Sequence, residues 1–132
     1  MTLSVERAKD NVTMEFMASF ADAWNRHDAD AVVAHMTEDC IYEASSGPEP
    51  WGARCIGREA TRAAVAATFA AVPDMAFSEV RTYLYGERGF AEWRVTGTRA
   101  DGRRLDAYGC DAFEFRDGLI AAKRSYIKNR TA

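Results

Sequence analysis

The chain has 132 residues, a length that closes one hydrophobic core and leaves little for a second. Hydrophobic residues make up 48% and charged residues 28%, a globular balance that excludes a disordered chain. The formal net charge of -3 and the scatter of most basic residues argue against a nucleic-acid partner, which would need a basic stripe. Only Lys123, Arg124, Lys128 and Arg130 form a short basic cluster.

The N-terminus Met1–Arg7 shows no apolar leader pattern, and no apolar run approaches membrane-spanning length. Three cysteines, Cys40, Cys55 and Cys110, are odd in number and lack C-x-x-C spacing. They read as reduced thiols in a cytoplasmic protein. One domain over residues 1–132 is therefore expected.

Val5, Ala8, Val12, Phe16, Phe20, Ala23 and Trp24 recur at helical spacing and predict a first helix of about six turns. Asn25 to Asp28 breaks it, and Asp28 is placed to cap a short second helix carrying Ala31, Val32, His35 and Met36. Cys40 to Ala44 reads as a strand, and the Gly- and Pro-rich run Ser45 to Gly57 as a loop. A third helix follows from about Arg58 and stops before Pro73.

From Met75 the signal changes to β-branched and aromatic segments. Strands are expected over about 76–85, 89–99, 104–116 and 119–129, separated by Gly86-Glu87-Arg88, Asp101-Gly102 and Asp117-Gly118. Helices followed by hairpins predict an α+β domain with helices on one face of a curved sheet.

The segment around Asp111 carries the chemistry. Alternation puts Ala107, Gly109, Asp111, Phe113 and Phe115 on one face, apolar apart from the carboxylate. An acid on a core face must be paired or must work in a cavity. Asp111 is thus either a structural acceptor, bonded to a backbone amide or Arg94, or a general acid or base. On the preceding segment, hydrophobicity turns Trp93 and Val95 inward and leaves Glu92 and Arg94 in solvent. A polar pocket would reverse this, and residue type leaves the face open.

His27 and His35 show no metal-ligand spacing, and there is no glycine-rich phosphate loop or nucleophile elbow, so no metal and no cofactor are expected. Phe16, Phe20, Trp24, Tyr42 and Phe69 read first as core. Trp51, in a Gly/Pro loop, could cap a cavity mouth.

Several motifs together resemble the nuclear transport factor 2-like superfamily, in its SnoaL-like polyketide cyclase and ketosteroid isomerase-like branch. They are Trp24-Asn25-Arg26-His27-Asp28, Thr37-Glu38-Asp39-Cys40-Ile41-Tyr42, Gly57-Arg58-Glu59-Ala60, Glu92 to Thr98, and Gly109 to Ile120 with Ser125-Tyr126. The resemblance implies a cone-shaped α+β barrel, three helices packed on a curved antiparallel or mixed sheet that encloses a pocket. It also implies a pocket acid at Asp111, the position of a protonated, oxyanion-binding acid in the isomerases. Arg94 would be its partner, and Glu92, Thr96, Lys123 and Ser125 would turn to the cavity. Phe16, Phe20, Trp24, Tyr42, Trp51, Phe69, Glu92, Phe113 and Ser125 would contact a small hydrophobic substrate.

Two departures stand out. The isomerase's catalytic base falls at Ala44 and its oxyanion-hole tyrosine at Phe20, so a steroid isomerase mechanism is not expected. Where cyclases often carry a histidine, this chain has Arg99. The resemblance leaves three readings: cofactor-free acid–base catalysis of the cyclase or isomerase type, a non-catalytic ligand pocket, or an assembly module. A homodimer through the outer sheet face is expected on each.

Overall fold

Thr13 marks where the first described helix begins: its hydroxyl accepts from the Phe16 amide at 3.0 Å. The computed structural model describes residues 11–131, and the expected helical positions Val5 and Ala8 lie outside them. Helix α1 runs Met14–Asn25, so it is shorter than the periodicity suggests, with Asn11 and Val12 non-helical. The remaining elements are α2 (Ala29–Ala34), β1 (Met36–Glu43), β2 (Arg54–Ile56), α3 (Arg58–Ala71), β3 (Ala76–Tyr85), β4 (Arg88–Thr98), β5 (Arg104–Arg116) and β6 (Leu119–Ile127).

Two expectations shift. Helix α2 ends at Ala34, and Met36 opens β1 four residues earlier than expected. The anticipated loop 45–57 contains the short edge strand β2, paired with β1 at Ile41–Ile56. Asp28 caps α2 as its position suggests, accepting from the Ala31 amide at 3.0 Å.

The six strands form one mixed sheet in the order β2-β1-β6-β5-β4-β3. Only the β1–β6 pair is parallel. The sheet is not closed; β2 and β3 are its free edges, so the fold is a cone-shaped α+β fold rather than a barrel. The hairpins turn where left-handed backbone is tolerated, as at Asp117 and Gly118, with φ of 55° and 73°.

The three helices cover the concave face. Val32, Met36, Cys40, Val65 and Ile120 are fully buried between helices and sheet. At the helix-to-helix turn, Asn25 acts as an extra ladder rung for edge strand β3. Its Nδ2 donates to the Phe77 carbonyl at 3.0 Å, and its Oδ1 accepts from the Phe77 amide at 2.8 Å. His27, with φ of 57°, donates from Nε2 to the Met75 carbonyl at 2.6 Å and stacks on Phe69. This short polar motif anchors the start of the far edge strand to the helical layer. No helix among the described residues is long and apolar enough to cross a membrane.

Each lost hydrogen bond is worth about 0.5–1.5 kcal/mol. Asn25→Ala is therefore expected to lower stability by about 1–2 kcal/mol in urea unfolding, with faster amide exchange confined to the start of β3. Unchanged exchange at Phe77 would show that the rung does not hold the edge.

Candidate active site

A pocket of about 240 Å³ opens between α1 and the concave face of the sheet. Its wall is mostly apolar: Met17, Phe20, Trp24, Phe77, Trp93 and Phe113. Two charged side chains line it, Asp111 from β5 and Lys123 from β6.

Asp111 sits where the β5 alternation puts it, on the inner face, opposite Ala91 of β4 and Ser125 of β6. Its Oδ1 accepts from the Ser125 hydroxyl at 2.6 Å and lies 3.2 Å from Lys123 Nζ. Its Oδ2 accepts from Trp93 Nε1 at 2.9 Å. Lys123 also donates to Ser125 Oγ at 2.8 Å. The two side chains of this ion pair are only 9% and 6% exposed.

Lys123 completes its environment with aromatic faces. Nζ lies 4.7 Å from the Trp24 ring centroid and 5.0 Å from that of Tyr42. Tyr42 is the cross-strand neighbour of Lys123 in the parallel β1–β6 pair, and it stacks on Trp24. Burial pushes the Tyr42 phenol above its usual range, with Lys123 opposing, so the phenol keeps its proton at neutral pH.

A bulge in β6 brings Lys123 to this face. Phe115 pairs with Ile120 but Glu114 pairs with Ala122, so β6 carries one extra residue at Ala121. Ile120 and Lys123, three apart, therefore both face inward. Strict alternation from Ile120 would have turned Lys123 and Ser125 away. On β5, Gly109 lets the Trp93 indole lie across the strand: a Cβ there would sit 2.6 Å from the indole ring and from the Tyr126 carbonyl oxygen.

Arg94 is the main correction. It lies on the convex face, cross-strand from Tyr108, and forms a bidentate pair with Asp106 at 2.8 and 2.9 Å. Glu79 stands 3.6 Å from it. Asp106 raises the Arg94 pKa and is itself held below the usual carboxylate range. No Arg94–Asp111 pair exists, because hydrophobicity sets the face: Trp93 and Val95, 5% and 1% exposed, turn inward and leave Glu92, Arg94 and Thr96 on the convex side.

 

Other expected contacts also fall elsewhere. Glu92 is exposed opposite Cys110. Trp51 is 43% exposed under the Arg54 guanidinium, away from the pocket. Phe16 packs on His35, and Phe69 on Trp24 and His27, behind the pocket wall. Phe20, Trp24, Tyr42, Phe113, Asp111 and Ser125 do come together at the pocket. Lys123, which the resemblance turned to the cavity, and Trp93, which hydrophobicity turned inward, join them by way of the bulge and the Gly109 gap. Ala44 and Phe20, at the positions of the isomerase base and tyrosine, also line it.

A SnoaL-like domain profile matches residues 17–123. Among solved structures, a nuclear transport factor 2-like protein of unknown function from Mesorhizobium loti is 31% identical, with 87% of this chain and 89% of that one covered and a TM-score of 0.70. A protein provisionally named a polyketide cyclase from Xanthomonas campestris pv. campestris is 25% identical, covering 86% and 88%, with a TM-score of 0.76. A ketosteroid isomerase-like fold from Catenulispora acidiphila, solved with trimethylamine, is 20% identical, covering 87% and 86%, with a TM-score of 0.76. No curated protein matches the chain.

Removing one partner of a buried ion pair strands the other, at a cost of about 3–5 kcal/mol. Asp111→Asn and Lys123→Met are each expected to destabilise on that scale, and the double variant by clearly less than their sum. Additive losses in urea unfolding would show that the two groups are not coupled.

Proposed function

Since the chain belongs to the SnoaL-like domain family, we propose that its pocket performs cofactor-free acid–base chemistry on a small apolar molecule bearing a carbonyl. The observation that carries this reading is the Asp111–Lys123 pair, the two charged side chains in a mostly apolar wall.

The hydrogen-bond inventory supports distinct roles. A carboxylate offers about four lone-pair sites; Ser125 and Trp93 donate to one on each oxygen, and Lys123 stands 3.2 Å from Oδ1 as the counter-ion. The site left on Oδ2 can take a proton from the carbon next to the substrate carbonyl. An ammonium has three N–H groups; Ser125 accepts from one, and Asp111 stands 3.2 Å away as the counter-ion. A remaining N–H can donate to the carbonyl oxygen as enolate charge develops. Returning the proton at a different carbon gives isomerisation; attack by the enolate carbon on a second carbonyl gives ring closure.

Size narrows the substrate. An apolar cavity of about 150 Å³ accepts benzene, so 240 Å³ suits about one substituted ring. Phe20 and Ala44 supply neither the hydroxyl nor the carboxylate of a steroid isomerase.

A positioned acid or base contributes about a hundredfold to ten-thousandfold. Exchange of α-hydrogens of acetophenone or cyclohexenone for deuterium, followed by NMR, is expected to be accelerated by the protein and to fall on that scale in Asp111→Asn. Equal exchange by that variant removes Asp111 from the mechanism. Binding of the ketone without any exchange would favour a non-catalytic ligand pocket, a reading that the close polar partners holding Asp111 in place also support.

A homodimer in the cytoplasm is part of the proposal. Tyr83, Phe90, Tyr108 and Tyr126 are 54%, 39%, 54% and 58% exposed on the convex face, where a second copy would cover them. Sedimentation equilibrium at micromolar concentration is expected to give twice the chain mass, reduced to one by Tyr126→Asp; a monomeric wild type refutes it.

A further inference from the structure

Beyond the pocket lies a second concavity of about 500 Å³, at the start of β5. Its walls are the β4–β5 hairpin and the C-terminal segment after β6. Arg99, Arg103 and Arg104 line one side, and Lys128 and Arg130 the other. Its floor is apolar, made of the buried residues Leu105 and Ala107.

The walls are held in place. The Arg99 amide donates to the Arg103 carbonyl at 2.9 Å across the hairpin. The Lys128 amide extends the β5–β6 pairing by donating to the Tyr108 carbonyl at 2.9 Å, and Arg130 reaches back to the Asp106 carbonyl at 3.1 Å.

The charge is concentrated. Five cations face one carboxylate, Asp106, and that carboxylate is taken up by Arg94 from the convex face. Arg103 pairs with Asp101, and Arg104 stands 4.0 Å from Asp74. Arg99, Lys128 and Arg130 have no carboxylate within 4.0 Å among the described residues. On a chain of net charge -3 this is a local reversal of sign.

The two concavities share a wall residue, Ile127. Six residues of β5 separate Asp111 from Leu105, which at 3.2–3.4 Å per residue is about 20 Å. We propose that this groove binds the phosphate-bearing tail of the ligand whose carbonyl head enters the pocket. Arginine forks and a lysine suit phosphate oxygens, and the apolar floor suits the carbon chain between head and phosphate. The inference rests on the pocket reading above and adds the substrate class: an amphiphilic phosphate ester rather than a free ring ketone.

The probes are acetophenone, inorganic pyrophosphate, and an aryl ketone joined to a phosphate monoester by an alkyl chain of about 20 Å. Binding to the full chain is followed by amide chemical shifts and calorimetry. The joined compound is expected to bind at least about tenfold tighter than acetophenone, since one charge-assisted hydrogen bond is worth that much. The advantage should vanish in Arg99→Gln/Lys128→Gln/Arg130→Gln and shrink with added salt. Equal affinity of the joined compound and acetophenone overturns the proposal, as does pyrophosphate shifting amides outside 98–107 and 127–131. Pyrophosphate binding in the groove of a protein that ignores acetophenone overturns the pocket reading instead, and with it the link between the two sites.

Discussion

The buried pair of Asp111 and Lys123 is the constraint around which the concave face is arranged. Two charges withdrawn from water carry a desolvation cost that one contact at 3.2 Å does not offset alone. Ser125, the Trp93 indole and the faces of Trp24 and Tyr42 supply the remaining interactions. Each of these partners comes from a different strand or helix, so the pair ties β1, β4, β5, β6 and α1 to one point. The same side chains form the pocket wall, and structural and chemical roles coincide there.

Departures from regular strand geometry make that convergence possible. The Ala121 bulge rotates the end of β6 so that Lys123 and Ser125 join Ile120 on one face. Gly109 leaves the gap that the Trp93 ring fills. On the edge strand β3, a second irregularity between Ser78 and Arg81 includes Glu79 at φ 54° and brings its carboxylate to Tyr108 and Arg94 on the other face.

The convex face is organised on a different principle. Arg94 with Asp106, and Arg124 with Glu114, form half-exposed pairs, and Arg124 also reaches the buried Glu43. Such pairs contribute modestly to stability but fix side-chain direction. The basic cluster read at 123–130 divides among three environments: Lys123 in the pocket, Arg124 on the convex face, and Lys128 and Arg130 in the groove.

Much of this was legible in the residues alone. Periodicity located the three helices, the Gly-containing turns located the hairpins, and the β5 alternation put Asp111 on the apolar face, because each depends on neighbours close in the chain. The family resemblance implied an inward Arg94, whereas hydrophobicity implied an outward one; the burial of Trp93 and Val95 decides for hydrophobicity. Lys123 could not be placed by alternation, since a single extra residue inverts the faces beyond it and no local signal marks Ala121 as that residue. What the sequence determined by itself was therefore the order of elements and one acid on a core face. The partner of that acid was decided only by tertiary structure, because strand register is set by pairing with β5 and by packing across the pocket.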